Sequence, residues 1–185
     1  MRIISGTSKG RRLSTQRGYA LRPTSDRMKG SIFDILGEMI RDKTVLDLFA
    51  GTGNLGIEAL SRGARKSFFV EKEREPLRLL QTNLRRCQMD EKSEILPKDV
   101  TTAIRMLFRR NEVFDVIFMD PPYRKGWIEK TIVTLDSQPI YHEQSVLMVQ
   151  HDRRESLPER IQKRWSLIRQ RRMGDTMISF LVPLP

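Results

Sequence analysis

Between Thr44 and Asp175 the chain switches repeatedly between short apolar runs and stretches whose apolar residues fall three or four apart. "TVLDLF" (44–49), "SFFVE" (67–71), the start of "SEILPKD" (93–99), "FDVIFMD" (114–120) and "QSVLMVQ" (144–150) have the length and composition of buried strands. "NLGIEALSRG", Glu73 to Arg86 with Leu77, Leu80 and Leu84 on one face, "TTAIRMLFRR" and residues 126–137 carry helical spacing. Apolar strands each followed by a helix predict a parallel sheet covered by helices on both faces. The final stretch, "RWSLIRQRRMGDTMISFLVP", alternates instead. It predicts two antiparallel strands, about 164–172 and 176–182, turning at Gly174-Asp175. The expected fold class is α/β: a mostly parallel seven-stranded sheet with a C-terminal antiparallel hairpin.

Ahead of this core, "MRIISGTSKGRRLS" reads as a small basic β-hairpin with Gly6 to Gly10 in its turn. "RPTSDR" then leads into an amphipathic helix with Met28, Ile32, Ile35, Leu36, Met39 and Ile40 on one face, capped by Ser25 or Asp26. The expected organisation is a basic appendage over residues 1–27 followed by one α/β domain over 28–185. A chain of 185 residues with 38% hydrophobic and 31% charged residues suits one soluble domain with a sizeable core. No run approaches the roughly 20 apolar residues a membrane helix needs. The lone Cys87, and an N-terminus without an apolar signal core, lead us to expect a reducing, cytoplasmic setting.

Charge sharpens this picture once it is located. Of the formal +11, residues 1–30 contribute +7 and residues 150–175 contribute +4, so the remainder is neutral. Two basic segments flanking a balanced middle are the pattern of a catalytic core with arms for a polyanion, and nucleic acid is the expected partner. His142 and His151 have no carboxylate or cysteine at ligand spacing, so no metal site is expected.

"LDLFAGTGNLG" sets Gly51, Gly53 and Gly56 in a G-x-G-x-x-G pattern between a strand and a helix. Such a turn lets a nucleoside cofactor approach the main chain. Glu71, twenty residues after Gly51 and closing the next strand, is spaced to accept both hydroxyls of a ribose. That spacing suits NAD and S-adenosylmethionine alike. Asp47, inside the first strand, favours the second: its carboxylate suits an ammonium or sulfonium, not the pyrophosphate of a dinucleotide. Asp99 is placed either to accept from an adenine amino group or simply to cap the next helix.

"FMDPPY" ends the fourth strand on an acid, two prolines and an aromatic ring. The exocyclic amine of a base is a poor nucleophile because its lone pair is delocalised. The Asp120 carboxylate and the Pro121 carbonyl together would hold both amine hydrogens and free the lone pair for in-line attack on a methyl group. Tyr123 offers a stacking face, commonly worth about 1–3 kcal/mol per base. A base paired in a duplex would not reach such a turn, so the target must be unpaired or flipped.

"FAGTG" followed by "DPPY" resembles amino-methyltransferases of adenine, guanine or cytosine. "MRIISGTSKGRRL", "RPTSDRMKGSIFDIL", "LDLFAGTGNLGIEALSRGA" and "FMDPPY" in that order, with "WSL" and Gly174 near the end, are more selective. Over essentially the whole chain the sequence is similar to the small-subunit ribosomal RNA guanine-N2 methyltransferases. The resemblance implies a Rossmann-like class I methyltransferase fold and S-adenosylmethionine as donor. It implies methylation of N2 of one guanine, position 966 of 16S rRNA, within an assembling or assembled small subunit. A DNA or RNA adenine N6 enzyme is the alternative. The implied cofactor contacts are Asp47, Ala50, Gly51, Thr52, Gly53, Glu71 and Asp99; the implied catalytic residues are Asp120, Pro121 and Tyr123. Arg22, Thr24, Asp26 and Arg27 match a signature expected between cofactor and RNA, and Lys9, Arg11, Arg12, Arg22 and Arg27 are the expected RNA contacts. Where the family usually has an acid after Lys29, this chain has Gly30. A monomer is expected.

Overall fold

The computed structural model describes residues 1–15 and 26–185. Six α-helices occur among them: α1 (Asp26–Leu36), α2 (Asn54–Ser61), α3 (Arg74–Cys87), α4 (Val100–Arg109), α5 (Trp127–Ser137) and α6 (Glu159–Arg164). The strands are β1 (Thr44–Asp47), β2 (Lys66–Val70), β3 (Ser93–Leu96), β4 (Phe114–Met119), β5 (Tyr141–Asp152), β6 (Trp165–Met173) and β7 (Thr176–Pro183). They form one seven-stranded sheet in the order β3-β2-β1-β4-β5-β7-β6. β1 to β5 run parallel, and β7 inserts antiparallel between β5 and β6, giving the expected C-terminal hairpin. No helix among the described residues is long and apolar enough to cross a membrane.

Alternation along the strands divides the core in two. Val45, Phe69, Val116, Phe118, Met148 and Phe180 face α1, α2 and α3. Leu46, Phe68, Ile117, Met119, Leu147 and Leu181 face α4, α5 and α6. Strands buried on both faces read as continuous apolar runs, which is why these positions were visible in the sequence.

Three elements depart from expectation for local reasons. α1 stops at Leu36, and Gly37 at φ 49° turns the chain into a 3₁₀ segment, Gly37–Ile40. Met39 therefore swings out to 45% exposed while Ile40 stays buried, and Phe33 packs edge-on against Phe118 at 5.8 Å. β5 starts three residues ahead of the expected 144–150 run, because its first four residues are not buried and carry no apolar signal. α6 has six residues, too few for a helical period to show.

The N-terminal segment turns back as expected, with Arg2 bridging Arg12 and Ile3 N–H donating to the Arg11 carbonyl at 2.9 Å. It packs on the core through Ile3 and Leu13. Gly6 lies so close to α2 that a Cβ there would overlap the Ser61 carbonyl oxygen, so the turn requires glycine. Glu58 of α2 accepts from the Ile4 and Ser5 amides at 2.9 and 3.0 Å and from Arg62 at 2.9 Å. Its fourth partner is the Lys29 ammonium at 3.0 Å, and both side chains are fully buried. Lys29, counted above among the basic arm, thus faces inward. It also donates to the Arg2 carbonyl at 2.6 Å and to Asn54 Oδ1 at 3.0 Å.

Candidate active site

Chain order reverses between β1 and β4: β2 and β3 extend the sheet one way, β4 and β5 the other. The crevice outside the carboxyl ends of such strands is where open α/β sheets bind ligands. Asp47 ends β1, Glu71 follows β2, Asp99 precedes α4 and Asp120 follows β4, so all four carboxylates emerge along this edge.

Asp47 lies beneath the glycine turn, 2% exposed, and its Oδ2 accepts the Gly56 N–H at 3.1 Å. Burial pushes its carboxyl up to about 7, helped by the negative charges of Asp120 and Glu71 and opposed by the Gly56 and Phe49 amides. Gly56 itself packs so tightly on β2 that a Cβ would sit 2.3 Å from the Phe69 ring. Gly51, at φ 53°, has open space where a Cβ would point.

Glu71 ties the turn to the next strand. It accepts from Gly51 N–H at 3.0 Å on one oxygen and from Lys72 and Glu73 N–H at 2.7 and 2.8 Å on the other. Burial raises its pKa, against those three amides. Ala50 N–H donates to the Val70 carbonyl at 3.0 Å, and its own carbonyl accepts from Gly53 N–H at 2.7 Å. The Thr52 carbonyl accepts from Asn83 Nδ2 at 2.9 Å. Asn83 also exchanges two hydrogen bonds with the Ser14 backbone, coupling the N-terminal segment to the turn.

Asp99 is the N-cap of α4. It accepts from the Thr102 N–H at 3.1 Å and from the Thr101 and Thr102 hydroxyls at 2.7 and 2.5 Å. These bonds hold its pKa well below the usual carboxylate range. The capping alternative is realised, which leaves at most one acceptor site of the carboxylate for a ligand.

Asp120 is half-buried and Pro121 buried at the end of β4, where the Phe118 carbonyl accepts from Leu48 N–H at 3.0 Å. That bond sets the Asp120–Tyr123 turn directly beside the glycine turn. The Tyr123 hydroxyl lies 3.0 Å from Thr176 Oγ1 and accepts from Gln150 Nε2 at 3.2 Å. Two strands, β5 and β7, thus fix the ring by its far end. Gln150 and Thr176 escaped the reading of the sequence. Gln150 carried the same signal as Asp47, a polar residue closing an apolar strand at the ligand edge, whereas Thr176 is found only through the hairpin register. A further pair, Phe49 and Trp127, meets edge-on at 6.1 Å beside the turn, with Lys130 4.8 Å from the Trp127 ring centre.

Tyr123→Phe is expected to keep the stacking face but strand the buried Gln150 amide, raising KM for the nucleic acid a few-fold with kcat nearly unchanged. Tyr123→Ala should cost about 5- to 150-fold in kcat/KM, the equivalent of about 1–3 kcal/mol of stacking. Equal effects of the two substitutions in steady-state kinetics would contradict a stacking role.

Of the expected polyanion contacts, Lys9, Arg11, Arg12 and Arg27 are exposed. Arg11 donates to the Arg86 carbonyl. Arg22 and Thr24, with Ser25, lie outside the described residues. Among the described residues no group of three His, Cys, Asp or Glu side chains is placed to hold a metal.

Residues 1–182 match the family described as "Conserved hypothetical protein 95". YlbH of Bacillus subtilis is 35% identical over 161 residues, spanning 87% of this chain and 88% of that one. "Ribosomal RNA small subunit methyltransferase D" of Escherichia coli is 32% identical over 174 residues, 94% of this chain and 85% of that one. The solved structure of yhhF from Escherichia coli superposes with a TM-score of 0.87 at 30% identity, covering 99% of this chain and 97% of the other. With this sheet order, a glycine turn at its switch point and these relatives, the chain belongs to the Conserved hypothetical protein 95 family, alongside proteins named ribosomal RNA small subunit methyltransferase D.

Proposed function

We propose that the protein is an S-adenosylmethionine-dependent rRNA methyltransferase acting, as a monomer, on the exocyclic N2 of a guanine in 16S rRNA, in a subunit context. The observation that carries the reading is the convergence of Asp47, Glu71 and Asp120 around an open glycine turn. Burial raises Asp47, and the negative charges of Asp120 and Glu71 add to that rise, so the crevice favours a cationic ligand over a pyrophosphate. Residues 50–53 and Glu71 would hold the donor. When bound, S-adenosylmethionine supplies an electrophilic methyl on a sulfonium and departs as the neutral thioether. Asp120 and the Pro121 carbonyl orient the amine by accepting its two hydrogens. The N–C bond would form as the donor's C–S bond breaks, and the surplus amine proton would leave to solvent. Tyr123 stacks the unpaired base. The names of the relatives support rRNA as substrate, and the choice of guanine N2 rests on the family resemblance.

The raised Asp47 gives a pH test. In the free protein this carboxyl is mostly protonated at pH 6 and mostly ionised at pH 8. A cation favours the ionised form, so donor affinity should rise several-fold across that window. Because the folded-state value lies above the unfolded one, Asp47 contributes most to stability below about pH 4, and that contribution is lost as pH rises through 7. Asp47→Asn should therefore flatten the pH dependence of affinity, lower affinity at pH 8, and raise the Tm of the free protein at pH 8 by several degrees. Titration calorimetry and thermal melts at both pH values check this; unaltered pH dependence in the variant would remove Asp47 from the donor site.

The function itself is tested by transfer of labelled methyl to small ribosomal subunits, naked 16S rRNA and double-stranded DNA in parallel. Label in rRNA or subunits is expected. Label in DNA alone would replace rRNA as the substrate and leave the turn chemistry standing.

A further inference from the structure

The two basic segments meet different fates in the fold. In the N-terminal one, Lys29 is buried on Glu58, Arg2 pairs with Asp26 at 2.8 Å and Arg11 donates to a backbone carbonyl, while Lys9, Arg12 and Arg27 are exposed. In β6, Arg169, Arg171 and Arg172 are all exposed and none pairs with a carboxylate among the described residues, Arg172 donating only to the Gly174 carbonyl at 3.1 Å. β6 is the outermost strand, so its outer edge offers backbone N–H groups as well as guanidinium groups.

The strand also points at the chemistry. β5 and β6 both pair antiparallel with β7, so they run in the same direction and β6 ends on the same edge as β4. At that end Met173 pairs with Thr176, whose hydroxyl holds Tyr123. Register places Arg169 beside Phe180 and Arg171 beside Ile178 on one face, and Arg172 beside Met177 on the other. On this second face lies a groove of about 320 Å³, lined by Leu157, Leu167, Gln170 and Met177 together with His151, the Glu155 carboxylate and Arg153, which pairs with Asp175 at 2.9 Å. Leu167, on the same face as Arg172, is 50% exposed. Apolar walls with an amide, an imidazole and a carboxylate among them suit the face and edge of one unpaired nucleobase, with the phosphates left to the arginines outside the groove.

We infer that the β6 edge and this groove form a second RNA-binding surface, continuous with the catalytic turn. Arg169, Arg171 and Arg172 take phosphates of an unpaired strand that leads to Tyr123, and the groove takes one base from that strand. This rests on the rRNA reading above and adds a part of the molecule that the reading does not use. An acidic protein strand adding to the same edge is the rival occupant.

The test is binding of a fluorescently labelled, unstructured 12-nucleotide RNA across a salt series, for wild type, Arg169→Gln/Arg171→Gln/Arg172→Gln and Leu167→Ala. All four positions are exposed, so unchanged melting temperatures are expected. Each lost phosphate contact on a single strand lowers the log–log salt slope by about 0.7, so the triple variant should lose about two units of slope. It should also bind about ten-fold or more weakly at 0.1 M salt. Leu167→Ala should lose affinity a few-fold with an unchanged slope. An unchanged slope in the triple variant would overturn the arginine contacts, and unchanged affinity in Leu167→Ala would overturn the groove. Intact RNA binding combined with lost methylation of assembled subunits would place a protein on this edge and overturn the inference. The salt slope reads binding alone. Failure of the enzymatic reading would instead show as a wild-type protein that transfers no methyl group to any RNA.

Discussion

Alanine at position 120 is expected to lower methyl transfer by at least about 10²–10³-fold, the usual cost of removing one preorganised polar contact to a reacting group. Asp120 supplies one of the two acceptors that would hold the target amine, and the neighbouring Pro121 carbonyl alone leaves that amine free to rotate. Donor affinity should stay within a few-fold, because two effects offset. The crevice loses one negative charge, but Asp47, no longer repelled by Asp120, ionises more readily. Asp120→Asn should recover part of the loss, since its amide oxygen still accepts one hydrogen. Single-turnover kinetics and calorimetry separate these quantities. Near-wild-type turnover in Asp120→Ala would remove this residue from the mechanism.

Glu58→Ala is expected to destabilise the protein by about 3–5 kcal/mol, because it strands a fully buried ammonium. In a domain of this size that corresponds to a Tm lower by about 6–20 °C. The same carboxylate also anchors the Ile4 and Ser5 amides, so the N-terminal turn should loosen as well. Burial already holds the Lys29 pKa below its ordinary value, and Glu58 opposes that shift. Without Glu58 the folded state prefers a neutral amine more strongly, so the deficit should shrink as pH rises towards 10. Adding Lys29→Met to Glu58→Ala should restore part of the lost stability. A single-variant cost below about 1 kcal/mol in denaturant titrations would contradict the account of this pair.

The layout of the sheet and the position of the crevice were legible in the sequence because both depend on local patterns. Strands buried on both faces cannot hide their apolar runs, and the glycine turn and the Asp120–Tyr123 turn each announce themselves by spacing. What the sequence concealed depends on contacts distant along the chain. Nothing around Lys29 marks it as buried, since its partner lies 29 residues away in α2. The exposure of Met39 follows from one positive-φ glycine that breaks the helical phase. Asn83 sits in an ordinary helical stretch, and only tertiary packing shows it bridging Ser14 to Thr52. Asp99 was ambiguous between ligand contact and cap because both uses ask for the same residue at the same place. Net charge by segment was correct as arithmetic but blind to fate: it counted the buried Lys29 alongside the exposed Lys9, Arg11, Arg12 and Arg27.

The central claim is that the crevice between β1 and β4 directs a methyl group to a base amine held at Asp120. The most direct measurement is incubation of unmethylated small ribosomal subunits with labelled S-adenosylmethionine and either wild type or Asp120→Ala, followed by digestion of the rRNA and mass spectrometry of the nucleosides. The account predicts N2-methylguanosine with wild type and essentially none with the variant. Label on another atom of the base, or equal label with both proteins, would contradict it.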